Sequence, residues 1–70
     1  METRKTAVTK LTANTYKISA QNGSGIVHKS EGRWNAKIYV RGELFRDLGS
    51  FKTRREAADT TEYTLAYEVR

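Results

Sequence analysis

One segment constrains the fold of this chain more than any other: between Trp34 and Val40, apolar and polar side chains alternate strictly. Its apolar members are Trp34, Ala36, Ile38 and Val40. Successive side chains of a β-strand point to opposite faces of the sheet, so the pattern predicts a strand with one buried face and one face in solvent. A chain of 70 residues that contains such a strand needs a second layer to cover the apolar face.

The second layer is predicted near the carboxyl end, where Thr53 and Glu56 have the spacing of a capping box. In this motif the threonine hydroxyl accepts a hydrogen bond from the amide three residues on, and the glutamate side chain reaches back to the threonine amide. A helix is therefore expected from about residue 54 to residue 67 or 69. Its inward stripe is expected to contain Ala57, Ala58, Thr61, Leu65 and Val69.

Two further strands are predicted beside the alternating one. Residues 26–29 form the first, a turn follows at residues 30–32, and a glycine-containing loop at residues 41–43 leads into the last strand. On that strand Leu44 and Leu48 are expected to point inward, and Phe45 and Asp47 outward; residues 49 and 50 end it. The clearest turn is predicted at residues 22–25 (Asn-Gly-Ser-Gly), because Asn and Gly tolerate positive φ.

Together these patterns predict an α+β domain, in which a three-stranded antiparallel β-sheet packs on one C-terminal α-helix. Residues 7–11 and 16–20 alternate weakly, which leaves two options open: a hairpin or one extra N-terminal strand. The binding domain is accordingly assigned to residues 25–70. Residues 1–24 are assigned to an N-terminal segment, either an arm or an added strand.

The charges of the chain are segregated by sign. The sequence has 13 Lys and Arg against 8 Asp and Glu, a net charge of +5. Residues 29–55 carry a net charge of +5 and residues 56–70 a net charge of −3. The negative block coincides with the predicted helix, so the positive charge is expected on the sheet. A concentrated positive field attracts polyanions, which favours nucleic acid as the partner.

Catalysis, metal binding and membrane insertion find no support in the sequence. The chain contains no cysteine and a single histidine, His28, so the usual nucleophile and metal-ligand sets are missing. We therefore expect a non-enzymatic protein with no cofactor and no metal ion. Because no apolar run approaches the roughly 18 residues of a membrane span and no signal peptide is visible, a soluble cytoplasmic protein is expected.

Three fragments of the chain resemble a known family. They are residues 32–38 (Gly-Arg-Trp-Asn-Ala-Lys-Ile), residues 48–53 (Leu-Gly-Ser-Phe-Lys-Thr) and residues 56–58 (Glu-Ala-Ala). In order and spacing they resemble the plant ethylene-response-factor (Apetala-type) DNA-binding domain. The arm-site-binding domains of phage and transposon tyrosine integrases use the same architecture. The resemblance extends over roughly residues 25–66.

The resemblance implies that the sheet lies in the major groove of double-stranded DNA, with the helix on the far side. It also implies, for so short a chain, an accessory or regulatory factor of a phage or mobile element, in the cytoplasm or nucleoid of a bacterial host. Lys29 falls on a basic contact position of the family. The family's structural positions are occupied by Trp34, Ile38, Leu48, Phe51, Ala57 and Ala58.

The chain also departs from the family at contact positions. Glu31 stands where the family has a DNA-contacting Trp, and Lys37 where it has Glu. Tyr39 and Phe45 replace arginines, and Asp47 replaces a tryptophan. The resemblance therefore implies the fold of the family without the base contacts of its plant members.

The outward face of the predicted sheet provides the candidate DNA contacts. They are Lys29, Arg33, Asn35, Lys37, Tyr39, Arg41 and Phe45. Lys and Arg neutralise phosphates, Asn can pair with adenine, and aromatic rings stack on bases or fill a protein pocket. Besides duplex DNA, three alternatives stay open: a protein-binding module such as a phage-encoded inhibitor of a host protein, a binder of single-stranded nucleic acid, and an ordinary solvated sheet face.

Overall fold

A computed structural model describes residues 7–69 as one antiparallel sheet covered on one side by a helix. The strands are β1 (Ala7–Thr12), β2 (Thr15–Ala20), β3 (Gly23–Ser30), β4 (Arg33–Val40) and β5 (Glu43–Phe51), and the helix is α1 (Arg54–Tyr67). The strands lie side by side in the order in which they follow one another in the chain. The helix is too short and too polar to cross a membrane.

The prediction of a three-stranded sheet is wrong, because residues 7–20 add a complete hairpin to it. Strand β2 pairs with β3 along its whole length, and β1 pairs with β2. Ile18 of β2 is only 1% exposed and belongs to the core. All six residues of β1 are exposed, since the helix packs against β2 to β5 and β1 lies beyond its edge. A strand that buries no side chain has no need of apolar alternation, so its sequence signal is weak.

The prediction of a turn at residues 22–25 is also wrong. The turn occupies Gln21 and Asn22, and Gly23 and Gly25 belong to β3. A Cβ atom on Gly25 would lie 2.2 Å from the Thr61 Cγ2 of the helix. Both glycines are therefore explained by close packing, and neither adopts the positive φ that suggested the turn.

The two hairpins on either side of β4 do close with the expected tight turns. Glu31 and Gly32 have φ of 54° and 79°, and Arg41 and Gly42 have φ of 55° and 81°. Two consecutive residues at positive φ are the requirement of a type I′ turn, whose twist matches that of the flanking strands. Each turn thus joins its strands through two residues and pairs Ser30 with Arg33 and Val40 with Glu43.

Strand β5 is longer and less regular than its sequence predicts. It continues through Gly49 and Ser50 to Phe51, and its register against β4 shifts twice. Leu48 lies at one shift and packs against the core, as predicted. The other shift is at Phe45, and Leu44 directly precedes it. Leu44 pairs with Tyr39 and is 56% exposed, so the prediction that it points inward is wrong. Each bulge adds a residue and thereby resets the alternation of faces.

The core lies between the helix and the central strands. Its buried apolar side chains are Ile18, Val27, Ala36, Ile38, Ala57, Leu65 and Val69. Thr61 and Thr64 are buried among them, and their hydroxyls donate to helix carbonyls one turn back. At the start of the helix the Thr53 hydroxyl accepts a hydrogen bond from the Glu56 amide at 3.1 Å, which confirms the predicted N-cap.

We expect Gly25→Ala to destabilise the fold by about 2 kcal/mol, because its Cβ would overlap the Thr61 methyl group. Thr61→Ser removes that methyl group, keeps the hydroxyl, and alone should cost about 1 kcal/mol. In the double variant the overlap is gone, so its destabilisation should be smaller than the sum of the two single effects. Urea unfolding of the four proteins measures this coupling; strict additivity would contradict the close contact.

Candidate nucleic-acid interface

The face of the sheet opposite the helix, called here the open face, is identified by strand register. Residues that pair across neighbouring strands lie on the same face, so the partners of the buried residues mark one side and the remaining rows mark the other. The open face of the three central strands and β5 carries Lys17, Ile26, His28, Arg33, Asn35, Lys37, Tyr39, Leu44, Asp47 and Ser50.

One row across the open face combines charge with a single apolar side chain. Lys17 pairs with Ile26, Ile26 with Lys37, and Lys37 with Asp47. Lys17 and Lys37 are exposed, whereas Ile26 between them is half-buried. Ile26 is flanked by the stems of two lysines, an arrangement that keeps both ammonium groups in water. This row places two cations on the solvent side of the sheet, one on each side of Ile26.

A second row is polar and partly ordered by hydrogen bonding. His28 pairs with Asn35, and Asn35 pairs with Ser50. The Ser50 hydroxyl donates to the Asn35 Oδ1 at 2.9 Å. The side-chain amide of Asn35 is thereby oriented, and its NH₂ group is left as a donor for a ligand.

The two rows border a shallow depression of about 440 Å³ in the middle of the open face. Its lining combines Ile26, His28, Ser30, Asn35, Lys37, Tyr39 and Asp47. Most of these side chains are polar. Several of them can donate a hydrogen bond, whereas only one, Asp47, is a carboxylate that accepts. The depression suits an extended polar ligand that offers acceptors.

Asp47 is the one acidic side chain on this part of the open face, and the backbone of its own strand holds it. Its Oδ1 accepts a hydrogen bond from the Gly49 amide at 3.0 Å, across the bulge in which Gly49 has φ of 93°. Within residues 7–69 the structure shows one ion pair, between Arg46 and Glu68 on the helix side. Among the described residues, no cation of the open face forms an ion pair, although Lys37 has Asp47 as its cross-strand neighbour.

The structure brings four of the predicted contact residues together on the open face. Arg33, Asn35, Lys37 and Tyr39 alternate along β4 with the buried residues of that strand. Arg41 lies at the end of the same strand, in the turn to β5. Phe45 lies at a bulge of β5, with its side chain 43% exposed. Tyr39 therefore shares the open face with Arg33 and Lys37, whereas Phe45 lies at the bulge near the Arg41 end of the sheet.

Lys29 does not belong to this surface, and its predicted place on the outward face is wrong. Because the Glu31–Gly32 turn has only two residues, Ser30 pairs with Arg33 and Lys29 with Trp34. Trp34 packs against the core, so Lys29 extends along the helix side of the sheet. Its Nζ lies 5.8 Å from the centre of the Trp34 ring.

Sequence reasoning missed several residues of the open face. Lys17 was overlooked because the weak alternation of residues 16–20 did not settle whether β2 joins the sheet. The sequence predicts a strand that contains Ile26 and His28 but does not assign their faces, because four residues are too few to show a clear alternation. The sequence predicts that residues 49 and 50 end the strand, whereas β5 continues to Phe51. A firm register for β2 and β3 would have identified the first three.

Comparisons with protein families, with curated proteins and with solved structures gave no match to this chain.

We expect Asp47→Ala to destabilise the protein by about 1 kcal/mol, because the Gly49 amide loses the acceptor that braces the bulge. Asp47→Asn keeps an oxygen in the same place and should lose less than half as much. Chemical denaturation of the two variants against the wild type measures the difference. Equal losses would show that the hydrogen bond does not stabilise the bulge.

Proposed function

We propose that this protein binds double-stranded DNA through the open face, with β3 and β4 directed into the major groove. The observation that carries the proposal is the excess of cations over carboxylates on the open face. Lys17, Arg33 and Lys37 share the open face, whereas the acidic residues after position 55 belong to the helix side. Phosphates attract such a face, and its polar centre offers side chains that can contact base edges.

The width of the sheet limits how it can enter the groove. Five strands spaced about 4.8 Å apart span roughly 19 Å, whereas the major groove is about 12 Å wide and admits a two-stranded ribbon. The central pair, β3 and β4, then reaches the bases with Asn35 and Tyr39. Lys17 on β2 and Arg41 at the end of β4 are left beside the phosphates.

The resemblance of the sequence to integrase-arm and ethylene-response-factor domains supports the same proposal. In this role the protein acts as an accessory or regulatory factor of a phage or mobile element, inside a bacterial cell. The departures at Lys37, Tyr39 and Asp47 imply that its recognised sequence differs from that of the plant domains. Asn35 offers donors from its oriented amide, and acceptors of purines in the groove are suitable partners.

If Lys17, Arg33, Lys37 and Arg41 each meet one phosphate, log affinity should fall against log salt with a slope of about −3 to −4. Fluorescence anisotropy with a labelled duplex, titrated at several salt concentrations, measures the slope.

Lys37→Glu should weaken binding at least tenfold and make the slope shallower, because one cation becomes an anion. Asp47→Asn, the matched variant that raises the net charge to +6, should strengthen binding. A flat salt dependence, or no binding, would rule the proposal out.

A protein-binding role is the second candidate, favoured by an apolar patch near the β4–β5 turn at one end of the sheet. Leu44 and Phe45 are 56% and 43% exposed, and Tyr39 pairs with Leu44 across the strands. Large exposed apolar side chains beside a tyrosine are typical anchors of protein interfaces. In this role the same face of the sheet would bind a host protein, with Arg41 at the rim.

Phe45→Ala and Lys37→Glu separate the two functions. For a protein interface we expect Phe45→Ala to abolish capture of a partner from nuclease-treated bacterial lysate, since loss of an anchor costs about 2 kcal/mol or more. Lys37→Glu should then have the smaller effect. DNA binding predicts the reverse order in the duplex titration. Single-stranded DNA that competes as well as duplex would indicate base stacking instead.

A further inference from the structure

A second cationic site lies on the helix side of the sheet, at the end where the helix begins. There the Arg54 guanidinium lies 4.6 Å from the centre of the Tyr16 ring, and the Tyr16 and Trp34 rings are 6.1 Å apart. Lys29 completes the row, with its Nζ 5.8 Å from the Trp34 ring centre. We call these four residues the cation–aromatic cluster. They come from α1, β2, β4 and β3, so the fold itself assembles them.

The cluster holds two positive charges in defined places without neutralising them. An aromatic face attracts a cation through its quadrupole but carries no net charge of its own. Lys29 and Arg54 are both exposed, and the one ion pair of residues 7–69 lies elsewhere, between Arg46 and Glu68. The backbone adds rigidity, because the Lys29 amide donates to the Asn14 carbonyl of the β1–β2 turn at 2.8 Å.

The neighbourhood of the cluster is also basic. Lys10 pairs with Tyr16, so it lies on the same side of the sheet, on the strand that the helix leaves uncovered. Lys52 and Arg55 flank Arg54 in the chain, against one carboxylate, Glu56, in the first helical turn. The acidic residues Asp59, Glu62 and Glu68 lie further along the helix. The positive charge is therefore concentrated at one end of the helix side.

We propose that the cation–aromatic cluster binds the phosphodiester backbone of a second DNA segment, so that one protein molecule bridges two duplexes. This rests on the proposed function in one respect, that the first duplex occupies the open face. Each ring already stacks against a cation, which leaves guanidinium and ammonium donors for phosphate oxygens and makes base stacking the poorer fit. The ligand is recognised by charge, so its sequence does not matter.

Two segments are needed because the open face and the cluster lie on opposite sides of the sheet. A duplex bound along the open face would have to fold sharply around the end of the strands to reach Arg54. DNA has a persistence length of about 150 base pairs and resists bending over so short a distance. A second duplex meets the cluster without that distortion.

The experiment uses the intrinsic fluorescence of Trp34, the only tryptophan of the chain, together with energy transfer between two labelled duplexes. When donor-labelled and acceptor-labelled duplexes are mixed with limiting protein, we expect energy transfer between them. When the protein is titrated with duplex to saturation, we expect a change in Trp34 emission. The double variant Lys29→Gln/Arg54→Gln should weaken bridging roughly tenfold or more, since it loses two phosphate contacts, while binding of the first duplex stays within about twofold. Arg55→Gln is the comparison for charge alone, because Arg55 neighbours Arg54 without a ring contact in the described chain. It removes one charge from the same basic neighbourhood and should weaken bridging by about twofold, well short of the double variant. Circular dichroism verifies that each variant is folded.

Each other outcome overturns a defined part of the argument. Duplex binding by anisotropy, with no energy transfer and no response of Trp34, overturns the second site and leaves the proposed function intact. A Trp34 response at one duplex per protein without energy transfer shows that a single duplex occupies the cluster and no second one is held, which contradicts the bridge. If Lys29→Gln/Arg54→Gln abolishes all DNA binding and Lys37→Glu has no effect, the cluster is the only DNA site and the open-face function fails.

Discussion

The contact between Gly25 of the sheet and Thr61 of the helix sets how closely the two layers approach, and the rest of the structure depends on it. Ala36 and Ala57 are also fully buried, so small side chains meet on both layers. Thr61 can be buried because its hydroxyl donates to the Ala57 carbonyl at 2.7 Å and leaves only its methyl group facing the sheet. The close approach lets a 70-residue chain without disulfides fill its core with Ile18, Val27 and Ile38.

The position of the helix then decides what every other surface can do. Because α1 lies over the central strands, β1 and the whole open face remain in solvent. The carboxylates of the helix are carried on the helix side, and the cations of β2 and β4 are left on the other. The charge asymmetry already present along the sequence is thus carried into the fold, where the helix carboxylates and the cations of the open face lie on different sides of the sheet.

The features that could be predicted from the sequence are those with a local physical cause. The capping threonine, the helix and the faces of β4 all follow from spacing within a few residues, and the structure has them where they were expected. The errors occur where the cause is distant. Gly25 was assigned to a turn because glycine signals both positive φ and close packing, and only the helix on top of it distinguishes the two. Leu44 was placed inward because a bulge cannot be read from alternation.

The two type I′ turns are the link between local sequence and the charge of each face. In a strand, a slip of one residue moves every side chain to the other side, so the length of a turn determines which cations act together. The two-residue turn at Glu31 and Gly32 pairs Lys29 with Trp34 and sends Arg33 to the open face. A longer turn could place Lys29 on the open face only by moving Val27 of the same strand out of the core, so burial and turn length specify the same arrangement. The separation of two basic surfaces on so small a protein thus also depends on the positive φ of both residues in the Glu31–Gly32 turn. Gly32 adopts this conformation easily, whereas Glu31 adopts it only because the hairpin twist requires it.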